Sequence, residues 1–449
     1  MSTFGLSLRT LRFRPGGYAA SFLAMFLGAI LLMSFGSLLD TANATGDSGS
    51  QEALRTPGFI VVGWSLPLVT YAVAAMLSLH VRQRAEELGL LKRLGATPGQ
   101  VTRLVFGETA ALTVLALAAA LVPGALIGRA LLAWMISADQ VADDVKHQFG
   151  GLAIGSGAAV SVVGALLAVV FTARRIGRGG AGAETAGRRT KLGKIRVIAA
   201  ILFLLLGVNL AVVTATVMHG APGSDPMATA GQASIFAAIG FALIAPPLLR
   251  GMTRLLSGLL SAASGPIGSL AGINLRRNVG NLSSAAMPII MFTGIAGGTL
   301  YMVATDNAAR DRIGLAKTAY DRNVEATNLI VIGMLLLFAA LMVVNTLAAA
   351  TVDRRREFGQ LRLLGTTPAQ LIGMVAGESL ALTLAGAFYG LIAAAFTFLP
   401  YAYAKEIHPA GGIGIYLGIL GTAALISIAS TVVVTLHNLR RPAAAAAVA

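Results

Sequence analysis

The sequence predicts an all-α integral membrane protein of about ten transmembrane helices. Three observations carry that prediction. Of 449 residues, 56% are hydrophobic and only 12% charged, with a mean hydropathy of +0.78; a soluble domain carries about 25% charged residues. Ten apolar runs are each long enough to cross a hydrocarbon core about 30 Å thick. One charged block occurs twice, starting at Arg84 and again at Arg354. The predicted architecture is therefore two parallel four-helix repeats, spans 1–4 and 7–10, joined by an extra helix pair.

The runs fall near 18–39, 58–80, 104–136, 150–172, 195–217, 231–249, 282–304, 328–350, 372–402 and 411–435. The first follows Arg9, Arg12 and Arg14 as a signal peptide would, but it is long enough to span and shows no small-residue cleavage site, so it reads as a retained span. The 53 glycines suit close helix packing in lipid. An even number of spans puts both termini on one side, and the loops of that side hold 26 lysines and arginines against seven opposite (Arg55, Lys146, Arg310, Arg312, Lys317, Arg322, Lys405). The asymmetry places both termini in the cytoplasm. It also accounts for the net charge of +15 without nucleic acid, since there is no soluble basic domain to bind it.

The predicted domains are a first four-span core over 1–172, a basic glycine-rich linker over 173–194, a connecting pair of spans over 195–250, a cytoplasmic or interfacial segment over 251–280, and a second four-span core over 281–441. A weaker echo, Thr10–Gly16 before span 1 and Asn274–Gly280 before span 7, supports duplication of whole halves. The outer loops, 40–57, 137–149, 218–230, 305–327 and 403–410, are too short for a folded domain.

The repeated block reads Arg84 to Gln100 and Arg354 to Gln370. Leu88, Leu91 and Leu94, like Phe358, Leu361 and Leu364, make a narrow apolar stripe on a short helix. Arg84 with Glu87, and Arg354 with Glu357, are i,i+3 pairs. Gly89 and Gly359 recur inside it, and Gly95 and Gly365 stop it. Thr97-Pro98-Gly99-Gln100 and Thr367-Pro368-Ala369-Gln370 then fit a capping box with proline at the first helical position. Each copy is a rigid corner: helix, glycine break, newly capped span. A hairpin that merely fixed topology would need only Lys and Arg.

The pattern R-x-x-E-[FL]-G-x-L-[KR]-x-L-G-[AT]-T-P-x-Q, followed eight residues later by Glu108 or Glu378, resembles the signature of FtsX-like permeases, the membrane subunits of MacB/LolC-type ABC transporters. The resemblance implies a permease subunit driven by two copies of a cytosolic ATPase. ATP and Mg would be held by that partner and no cofactor by this chain, and docking would fall on Arg84–Gly95 and Arg354–Gly365. With both cores on one chain, one permease chain per complex is expected. The large outer domain of MacB and LolC is missing, which removes a shuttle mechanism built on it. Membrane lipid is a further expected partner, and an outer-surface partner stays open.

The chain has no P-loop of its own and no cysteine, so no catalytic and no metal site is expected. The histidines (80, 147, 219, 408, 437) have no metal-ligand spacing. Glu108 and Glu378 are intramembrane carboxylates just inside spans 3 and 9. One reading pairs each with a nearby arginine such as Arg103, or with backbone; the other makes them part of the coupling element. Arg129 reads as snorkelling. The expected function is ATP-driven export, extraction or mechanical transmission on a hydrophobic or amphipathic substrate (lipid, peptide or antibiotic). The alternatives are a signalling complex controlling an outer partner or sensor kinase, and an ATPase-independent secondary transporter.

Overall fold

The computed structural model describes residues 15–83, 90–91, 93–177, 193–220, 225–252, 279–312, 339–348 and 354–440, with a few isolated positions between them. Helices are the regular structure of these residues, with no strand among them. The helices are α1 (Pro15–Ala44), α2 (Ser48–Gln83), α3 (Pro98–Ser137), α4 (Gly151–Gly177), α5 (Lys194–Thr216), α6 (Asp225–Leu243), α7 (Ala245–Met252), α8 (Val279–Arg312), α9 (Ala339–Ala348), α10 (Arg355–Leu363), α11 (Pro368–Ala404) and α12 (Gly412–Leu439). Among the described residues six helices are long and apolar enough to cross a membrane, or seven if the bent pair α6–α7 is one span. The linker 178–192, most of the segment 251–280 and Arg84–Gly89 lie outside the described residues.

The chain divides into two compact units, Met1–Arg189 with Lys317–Phe338, and Thr190–Ala316 with Ala339–Ala449. In the first unit α1 is the hub, packing on α2, α3 and α4. Its approach to them is close because glycines face it. A methyl group on Gly124 or Gly157 would sit within about 3 Å of Met33, and one on Gly58 would meet Leu39. The turn between α1 and α2 is shorter than the sequence suggests: α1 runs on to Ala44 and α2 begins at Ser48. Asp47 caps that start by accepting from the Ser50 N–H at 2.7 Å, and hydrogen bonding from Ser50, first its side chain and then this N–H, lowers the carboxyl pKa. Asp40, at the end of α1, accepts the N–H groups of Gly150, Leu152 and Ala153 at 2.8–3.0 Å and so caps α4 from another helix.

In the second unit the hub is the crossing of α8 and α11, with α6 packed on both. Helices α5 and α12 are peripheral, with only 17% and 22% of their apolar windows buried. The pair α5–α6 packs through Gly207 against Ala233 and Ala237, and through Gly240 against Leu204. The run 231–249 is not one straight span: α6 and α7 meet at 75°. Pro247 lacks the N–H that would bond to Leu243 four residues back. The Leu243 carbonyl accepts instead from Arg196 Nε at 2.6 Å, and the Leu248 carbonyl from the Tyr389 hydroxyl at 3.3 Å. A second insertion occurs inside α6. The Thr397 hydroxyl donates to the Ala230 carbonyl at 2.6 Å and accepts from the Ser234 N–H at 3.0 Å, placing a side chain within the i→i−4 ladder.

Contacts in the two hubs recur in register. Met33 against Gly124 in α1 and α3 corresponds to Gly297 against Ala394 in α8 and α11. One turn further along each helix, Ser37 against Gly128 corresponds in the same way to Tyr301 against Phe398. Further out, Thr41 Oγ1 accepts from Gln148 N at 3.0 Å and Thr305 Oγ1 from Ala410 N at 3.2 Å.

Candidate coupling corner

The second corner is described nearly whole. Helix α10 is only nine residues long, too short to be stable alone, so its position depends on tertiary contacts. Phe358, 2% exposed, packs with Leu371, Met374 and Val375 of α11, and Leu361 and Leu439 close the cluster. Leu364 does not continue the stripe. It is 82% exposed, because a step of three falls short of a full helical turn and the stripe drifts around the helix.

Arg354 ties the corner together. It donates to both oxygens of Glu357, Nε to Oε2 at 2.9 Å and Nη2 to Oε1 at 3.1 Å. It also donates from Nη1 to Glu378 Oε2 at 2.5 Å, a residue distant in sequence. Its guanidinium lies 5.1 Å from the Phe358 ring centroid. Glu378 is 2% exposed, and a lone carboxylate there would pay a desolvation cost of several kcal/mol. Burial works against the charge on Arg354, but the hydrogen bonds and charges of Glu357 and Glu378 outweigh it and raise its pKa. Two more arginines pin α10 to α12: Arg355 donates to Asn438 Oδ1 at 2.9 Å, and Arg362 to the Leu439 carbonyl at 3.3 Å.

The turn that follows is a Schellman motif. Gly365 has φ +91°, Gly365 N bonds to Arg362 O, and Thr366 N bonds to Leu361 O. Thr367 accepts from Gln370 N, Gln370 Oε1 accepts from Thr367 N, and Pro368 occupies the first turn of α11.

The first corner is described from Leu90, without Lys92. Gly95 has φ +96°, Ala96 N bonds to Leu91 O, and Thr97 with Gln100 forms the same reciprocal box ahead of Pro98. Arg84, Glu87, Leu88 and Gly89 lie outside the described residues. Glu108 is buried in α3 at 4% exposure. Glu378 does pair with an arginine, Arg354, but Arg103 is exposed and its counterpart in the second copy is Gly373, so a pairing with Arg103 itself cannot be common to both corners. The interval that does recur is the one from Arg354 to Glu378, which equals that from Arg84 to Glu108. That repeated interval was the available sequence signal for the buried pair. No group of metal-ligating side chains occurs among the described residues.

The model of the FtsX-like permease C-terminal domain matches residues 58–180 and again 329–443, more than half of the chain, and each match contains one corner. The chain belongs to the FtsX-like permease family. It is therefore a membrane component of an ABC-type system and not itself a P-loop enzyme, and such permeases generally work with ABC ATPase partners. A search of curated proteins finds no match to this chain.

Proposed function

We propose that this FtsX-like permease is the complete membrane part of an ATP-driven ABC system, driven by two cytosolic ATPase subunits that bind one at each corner. The proposed topology has ten spans in a bacterial plasma membrane with both termini cytoplasmic. Spans 1–4 and 7–10 form parallel repeats, and α5 to α7 form the extra pair. The matched register of the hub contacts, the double family match and the lysine and arginine asymmetry support this reading. ATP-driven closure of the ATPases presses on the corners and tilts α3 and α11. The work acts on a hydrophobic or amphipathic substrate, such as a lipid, peptide or antibiotic, in export, extraction or mechanical transmission.

One observation carries the coupling claim: Arg354 joins the short helix, through Glu357, to the buried Glu378 of α11. A push on α10 thus reaches the following span through charge-assisted bonds as well as through the turn. The test is co-purification with a P-loop ATPase encoded beside this chain, followed by turnover measurements in lipid. Two ATPases per chain and permease-dependent turnover are expected, and Arg354→Ala should retain binding while lowering stimulated turnover by about tenfold. Failure of any P-loop protein to bind would overturn the assignment; normal stimulation in Arg354→Ala would overturn the coupling route.

A further inference from the structure

We infer that the two corners grip their ATPases mainly through a pair of exposed leucines, Leu94 and Leu364, and not through the inward-held Arg354, Arg355, Phe358 and Arg362 of the block. This rests on the proposed function and specifies which face of the corner does the docking.

Helix α10 has two faces with different fates. Arg354, Arg355, Phe358 and Arg362 are all committed inward, to Glu378, Asn438, the α11 cluster and the α12 terminus. The outward face carries Arg356, Gln360, Leu363 and Leu364, all exposed. Leu364 is 82% exposed, and its counterpart Leu94 is 84% exposed at the same place in the other copy. A single exposed leucine is ordinary. Two at equivalent positions, each held directly before a left-handed glycine in a closed Schellman turn, are a repeated and rigid presentation. The turn's own hydrogen bonds run from Ala96 to Leu91 and from Thr366 to Leu361, so neither exposed leucine is needed to close it.

Lipid does not account for these side chains. Helix α11 has 37 residues, about 55 Å at 1.5 Å each, and α3 has 40, about 60 Å. A hydrocarbon core needs about 20 residues. With the exposed Tyr403 and with Trp134 near the outer ends, where aromatic rings favour the interface, both helices overshoot the inner boundary by more than ten residues. Modest tilt absorbs only part of that overshoot. Leu94 and Leu364 lie beyond even these inner ends, in water, where a large apolar side chain gains from burial in a partner's pocket. Two such knobs on one chain match two identical ATPase pockets.

The test uses the full-length chain in detergent and the ATPase that co-purifies with it, with binding measured by titration. L94D and L364D should each weaken ATPase affinity about tenfold at their own corner and leave the other corner intact, the double variant should weaken both sites about tenfold, and L364M should stay near wild type. The thermal midpoint of the permease should not move, because neither side chain packs within it. If the wild type binds and L94D/L364D binds within twofold of it, the knob assignment is overturned while the permease reading stands. If the wild type binds no ATPase, the permease reading itself fails and the knobs fall with it. The native chain has no cysteine, so Leu364→Cys accepts a single fluorophore. Added ATPase should shield that fluorophore from an aqueous quencher, whereas shielding by lipid vesicles alone would overturn the inference.

Discussion

At the α1–α3 crossing the bulk sits on Met33 and Gly124 makes room for it; at the α8–α11 crossing the glycine is Gly297 and Ala394 faces it. Four residues further out the contrast is sharper. Ser37 and Gly128 leave a gap that the loop residue His147 fills, its Nε2 3.1 Å from the Ser37 hydroxyl. Tyr301 and Phe398 fill the equivalent place with two rings whose centroids are 5.1 Å apart. The same crossing is thus closed in one half by a polar, titratable loop and in the other by aromatic packing. Close helix approach is what both halves keep. Which partner supplies the volume is free to change, provided the total fills the space.

Substitutions that convert one half into the other test this comparison. The largest expected effect is at Gly390, where an added methyl would meet Thr293; the equivalent pair in the first unit, Ala120 and Ala29, is alanine on both sides. Gly390→Ala should lower stability by about 2 kcal/mol, and adding Thr293→Ala should recover most of it, as a double-mutant cycle of detergent-phase melts would show. Asp40→Ala removes the carboxylate that caps α4 and should cost about 1–2 kcal/mol, with faster hydrogen exchange at 150–153. The matching position in the second half is already Ala304, and α12 starts at Gly411 without a side-chain cap, so that half sets the baseline. Thr41→Val loses two bonds to Gln148, the second a long one at 3.4 Å, and Thr305→Val loses one to Ala410; each should cost about 1 kcal/mol, with Thr41→Val the larger, and the reverse order would show that the two loop ends are not equivalent.

The smallest effect is with pH. Burial, reinforced by the charge of Arg129, lowers the His147 pKa below its ordinary 6.5, against a weaker opposing pull from Asp40. The unfolded chain then binds more protons than the folded one as pH falls through about 6.5, so the stabilising contribution present above that pH is lost on acidification. Protection of the 138–150 loop, measured as hydrogen exchange relative to the intrinsic rate at each pH, should fall between pH 7.5 and 5.5, and His147→Gln should flatten that response, while the protection of the Tyr301–Phe398 end should not change.

Much of the corner was legible because its signals are local. Thr97 with Gln100 and Thr367 with Gln370 are three residues apart, and the glycine stops depend on backbone dihedrals that only nearby residues restrict. The family pattern was legible for the same reason, since it is a contiguous string. The apolar stripe was only half right: Phe358 and Leu361 face the core, but the drift of a three-residue period turned Leu364 outward.

The sequence alone determined that this is an α-helical membrane protein of the FtsX-like type with two capped corners, because composition, hydropathy and capping act over tens of residues or fewer. Only the tertiary structure decided what the charges do. It made Arg354 the arginine that pairs with Glu378, set Asp40 on the end of α4, and sent Arg196 to the carbonyl that Pro247 leaves open. Burying a polar group is unfavourable until a partner is found, and the nearest partner in space belonged to another helix.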